Sequence, residues 1–73
     1  MTARQRLALA IRRTNVAFGA LPEPVRQSVS IESITPLERE VDLALTAGDD
    51  RAALTAVEAW EREALRVFAE AAQ

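Results

Sequence analysis

The chain reads as mainly helical with one short strand near its middle. Three observations point there: two long segments whose apolar residues recur at helical spacing, a stretch between them in which apolar and polar residues alternate, and Pro or Gly at the joints. If the alternating stretch is wound instead, the alternative is an all-α bundle of three or four helices. In either case residues 1–73 form a single domain, because so short a chain builds at most one small core.

The first element is a basic amphipathic helix over residues 1–21. Leu7, Ile11, Thr14, Phe18 and Leu21 recur at spacings of 4, 3, 4 and 3, which is one helical face. Leu9 and Val16 fall on roughly the opposite side, flanked by Arg6, Arg12 and Arg13. A helix with two apolar stripes tends to be covered on both sides, so Leu9 and Val16 are candidate partner contacts. Gly19, Pro22 and Pro24 end the segment.

The second element, residues 25–33, reads as a strand. Val25, Gln27, Val29 and Ile31 share one parity; Arg26, Ser28, Ser30 and Glu32 share the other. Val29 and Ile31 would face inward. Glu32 and Ser33 break a helical continuation of Val25 and Val29, and Val, Ile and Ser are indifferent helix formers. Pro24 can also open a helical turn, which keeps the helical alternative in play.

The third element is a helix over residues 36–47. Thr35-Pro36-Leu37-Glu38 has the form of a capping box with Pro at the first helical position. Leu37, Val41, Ala44 and Leu45 form its inward face, and Gly48 supplies a left-handed stop. Asp49 or Asp50 then caps the last helix, residues 50–71, about 30 Å long. Leu54, Val57, Ala64, Leu65 and Phe68 line its inward face, which Trp60 and Val67 widen. Glu61 interrupts that face and is placed to meet an arginine from the first helix. Glu58 and Arg62 are spaced for a surface ion pair. Trp60 is a candidate for core, dimer interface or partner anchor.

Composition excludes more than it assigns. His, Tyr, Cys and Lys are absent, which removes the commonest general base, the thiol and amine nucleophiles, and the usual zinc ligands. With only Gly19 and Gly48 no Gly-rich phosphate loop can form. We therefore expect no enzyme, cofactor, metal or small-molecule substrate. Asp49 and Asp50 read as caps rather than as a cation site, which needs further oxygen ligands. No apolar run is long enough to span a bilayer, and no secretory signal is evident. A basic helix can lie on a membrane, and an Arg-rich, acid-poor start resembles an organelle-targeting segment. Losing that segment would leave about fifty residues to fold, so a membrane partner is not expected. The lack of Cys fits a cytoplasmic protein.

Charge is segregated. Residues 1–22 carry Arg4, Arg6, Arg12 and Arg13 with no acid, a balance of +4; residues 23–73 carry −6, giving −2 for the chain. A basic arm on an acidic body either binds an anionic partner or lies on its own body or a neighbouring copy.

The order "SVSIES", capped helix, "AGDDRAAL", second helix resembles the ribbon-helix-helix family of DNA-binding repressors and antitoxins, over Val25 to about Phe68. The resemblance implies a homodimer whose paired strands form a ribbon that enters the DNA major groove. It implies base contacts from Arg26, Ser28 and Ser30, and a dimer core that includes Val29, Ile31, Val41 and Leu54. Arg4, Arg6, Arg12 and Arg13 would add phosphate contacts. One functional expectation is thus a non-catalytic dimeric DNA-binding regulator of repressor or antitoxin type. The other is a small helical protein-binding inhibitor, antitoxin or adaptor that blocks the surface of a partner protein, a toxin or other enzyme. It would use the Leu9/Val16 stripe or the face around Trp60. The acidic body, including Glu32, Asp49 and Asp50, favours the second.

Overall fold

A computed structural model describes all residues, 1–73, as four helices. They are α1 (Ala3–Gly19), α2 (Glu23–Ser28), α3 (Thr35–Thr46) and α4 (Asp50–Ala71). Helix α4 is the axis of the fold, and α1 and α3 both pack along it. The start of α1 is tied to the start of α4, since the Ala3 amide donates to Asp50 Oδ1 at 3.0 Å. At the far end Phe18 and Phe68 meet edge to face, with ring centroids 5.3 Å apart. Helices α1 and α4 therefore run parallel, and α3 runs antiparallel to α4 through the Gly48 turn.

Each helix boundary has a local cause. Thr2 opens α1 with a full capping box: its hydroxyl accepts from the Gln5 amide at 3.1 Å, and Gln5 Oε1 accepts from the Thr2 amide at 2.9 Å. Gly48 sits at φ 73°, and the Gly48 and Asp49 amides donate to the Leu45 and Ala44 carbonyls, each at 3.1 Å. That is a Schellman stop. Asp49 then caps α4 by accepting from the Ala52 amide at 3.0 Å.

The strand expected over residues 25–33 does not form, and with it goes the two-stranded ribbon. The chain is a small all-helical fold. Residues Glu23–Ser28 wind into α2, opened by Pro22 and Pro24, with the Arg26 and Val29 amides donating to the Pro22 and Val25 carbonyls at 3.0 Å. A lone strand would leave its backbone groups unpaired, whereas a helical turn satisfies them locally. The alternation was misleading because only part of it is used. Val25 and Val29, one turn apart, pack on Leu21, Ile34, Ala64 and Phe68. Ile31 remains 55 % exposed.

The capping box expected at Thr35 is also absent. Residues 31–34 already turn, with the Ile34 and Thr35 amides donating to the Ile31 carbonyl at 3.0 Å. Thr35 is therefore inside the helix, and its hydroxyl donates back to the Ile31 carbonyl at 3.1 Å. The Glu58–Arg62 ion pair does not form; the pairs on α4's outer side are Glu63–Arg66 and Arg66–Glu70.

The core has two parts. Leu21, Ile34, Ala64 and Phe68 form one at the end closed by α2 and its flanking loops. Ala10, Val41 and Val57 form the other, nearer the Gly48 turn. Trp60 packs against both. The line of α4 that is buried runs Ala53, Val57, Glu61, Ala64 and Phe68, while Leu54 and Leu65 are only half-buried. Three alanines and one valine hold the most buried places, with Ala3, Ala10, Ala53 and Val57 at 0 % exposure. Small residues there let helix axes approach closely.

Candidate partner-binding groove

Helices α1 and α3 lean mainly on α4, and a groove of about 160 Å³ lies between them. Leu7 and Ile11 of α1, Val41 of α3 and Trp60 of α4 give it apolar surfaces; Glu38 and Asp42 of α3 give it an acidic wall. Glu38 and Asp42 are one turn apart, both exposed, and neither is in an ion pair. The Trp60 indole N–H is buried and has no acceptor within the chain. Ile11 is 43 % exposed at the rim. The surface is thus apolar below and negative on one side.

On another side of α1 lies a buried ion cluster. Arg6 hydrogen-bonds Glu61 Oε1, and Arg13 Nη1 lies 3.7 Å from Glu61 Oε2. The Glu61 side chain is 7 % exposed. The meeting of Glu61 with an arginine of the first helix is thus present, and two of the four arginines in the basic arm face the chain's own acid. Glu61 Oε2 and Arg6 Nη1 have no hydrogen-bond partner. On the outer side of α4, Arg66 hydrogen-bonds Glu63 at 2.7 and 2.8 Å, and this holds the Glu63 carboxyl at about 2, down from 4.5. The same carboxylate, with that of Glu70, raises the Arg66 guanidinium.

The residues that the ribbon would have carried lie elsewhere. Arg26 donates to the Leu21 and Gly19 carbonyls, placing its charge at the carboxyl end of α1. Ser28 donates to the Val25 carbonyl at 3.2 Å, and the Ser30 hydroxyl accepts from the Glu32 amide at 3.4 Å. Val29 is half-buried against the cluster around Phe68, Ile31 is exposed, and Leu54 is half-buried. Val41 is buried within this single chain.

Of the remaining arginines, Arg4 lies exposed beside Asp49 and Asp50 at the turn into α4, and Arg12 is exposed on α1; neither is in an ion pair. Val16 is 70 % exposed, and Leu9 is half-buried. Trp60 comes together with Leu7, Ile11, Val41, Glu38 and Asp42; Leu9 and Val16 do not line that groove. Sequence reasoning missed Glu38 and Asp42 as a wall. The available signal was two acids at i, i+4 beside the inward Val41. No protein-family model, no curated protein and no solved structure matches this chain.

Proposed function

We propose that this protein is a non-catalytic helical protein-binding module whose binding face is the groove between α1 and α3. The observation that carries the reading is the groove itself: apolar contacts from Leu7, Ile11, Val41 and Trp60 beside the unpaired acids Glu38 and Asp42. Two helices flanking a third leave a place where one more helix can lie, with its side chains set between those of its neighbours. An apolar face places that helix, and Arg or Lys along its edge meets the acidic wall. Inhibitor, antitoxin and adaptor roles all need only such occupation of a surface.

Trp60 is the sole tryptophan and reports on the groove directly. A Leu/Lys amphipathic helical peptide titrated at low salt should shift its emission saturably, while a Leu/Glu peptide of equal length should not. Ile11→Asp and the pair Glu38→Arg with Asp42→Arg should each abolish the response. An unsaturable response, or one indifferent to these changes, contradicts the reading.

A further inference from the structure

We infer that the helix this groove takes is α1 of a second copy of the chain, in a two-fold dimer; the inference rests on the groove being a helix-binding surface.

The required ligand is apolar along one stripe and positive beside it, and the chain carries such a stripe. Leu9, Arg12 and Val16 stand at spacings of 3 and 4 on the outward side of α1. Val16 is 70 % exposed, a large value for a β-branched apolar residue in a helix. Arg12 is exposed and meets no carboxylate, and Arg13 is half-exposed and held only at 3.7 Å by Glu61. Across the groove Glu38 and Asp42 are equally unpaired. Residues 1–22 contain no acid, whereas α3 carries Glu38, Glu40 and Asp42 against Arg39 alone. Arg12 of the positive stripe and Glu38 and Asp42 of the negative wall are left unpaired within one chain, and two copies can pair them. Arg12 follows the rim residue Ile11 by about 100° around α1, so the stripe borders the groove, and a two-fold arrangement with Ile11 near the axis can set each copy's Arg12 against the other's α3. Such an isologous contact closes at two chains.

Burial supports the same occupant. Only 11 of 73 residues are buried, and Ile11 and Val16 are both left exposed. A chain this small gains most from a partner that is always present at its own concentration.

Sedimentation of the full chain over a concentration series at low salt tests the inference, with helicity followed in parallel. The wild type should form dimers that weaken as salt is added. Arg12→Glu alone and Glu38→Arg alone should each weaken self-association by about tenfold or more, because each creates two like-charge contacts per dimer. Mixed together, the two variants should associate with each other as wild type does, since both contacts then pair opposite charges. A monomeric wild type, growth beyond dimers, unaffected single variants, or a mixture that stays monomeric overturns the inference. A monomer whose Trp60 still responds saturably to the Leu/Lys peptide overturns the second copy alone and leaves the groove reading standing. A monomer with no such response removes both.

Discussion

Glu61 and Glu63 stand two residues apart on α4, and each meets arginine, yet they do different work. Glu61 points into the joint with α1, is 7 % exposed, and faces Arg6 and Arg13 across a long stretch of sequence. Glu63 lies on the outer side and pairs with Arg66 one turn along its own helix. The first pair joins two helices, α1 and α4, across their packed joint. The second decorates one helix that would form without it. The lesson is that an ion pair's worth lies in what its removal leaves behind: a charge stranded in the packed joint for Glu61, and a solvated side chain for Glu63.

Breaking the inner pair should give the largest effect. Glu61→Ala strands Arg6 and should cost about 3–5 kcal/mol by urea unfolding, enough to unfold much of a small domain. The comparison sharpens with Arg6→Met combined with Glu61→Leu. Removing both charges should leave the protein more stable than either single variant does, and the double-mutant cycle should show strong coupling.

Smaller effects belong to contacts near the pair but outside it. Asp50→Ala unties the start of α1 from α4 without stranding a charge, and should cost about 1 kcal/mol. Gly48→Ala forces a side chain into a backbone at φ 73° and should cost about 1 kcal/mol.

The outer pair should show itself mainly through pH. The Glu63 carboxyl sits at about 2 when folded against 4.5 for a free group, so its contribution is complete above the higher value. It fades as the pH falls towards the lower one. Glu63→Gln should remove that part of the acid dependence by lowering stability at neutral pH, only slightly because solvent screens so exposed a pair, and should leave stability near pH 2 unchanged. An NMR titration that places Glu63 near 4.5 would mean the pair with Arg66 does not form in solution.

Much of the scaffold was readable because it is written in short-range patterns. The periodicities of α1, α3 and α4, the left-handed stop at Gly48 and the cap at the start of α4 depend on residues within a turn or two of each other. The failures at residues 25–33 and at Thr35 were also local, but there two local patterns competed. Alternation in "VRQSVSI" favours a strand, and Pro22 and Pro24 favour a turn of helix. Contact of Val25 and Val29 with the cluster around Phe68 decided between them, and that contact lies far along the chain. Similarly "TARQ" is a capping box of the same form as "TPLE", and only the first is used. The second is pre-empted by the turn at residues 31–34. The line of α4 that is buried was legible in period but shifted in detail. Alanine rather than leucine takes the tight positions, because the joint with α1 is set by how closely two backbones approach.

By itself, then, the sequence determined that three long segments wind, where they stop, that the positive charge is gathered in the first, and that the common nucleophiles and zinc ligands are missing. The tertiary structure alone decided that the middle is wound rather than extended. It also decided that Arg6 and Arg13 turn to Glu61, and that Leu7, Ile11, Val41 and Trp60 come together beside Glu38 and Asp42. The physical reason is one of range. Periods and caps are settled by neighbours along the chain, whereas a groove exists only once separate helices have chosen which of their faces to hide.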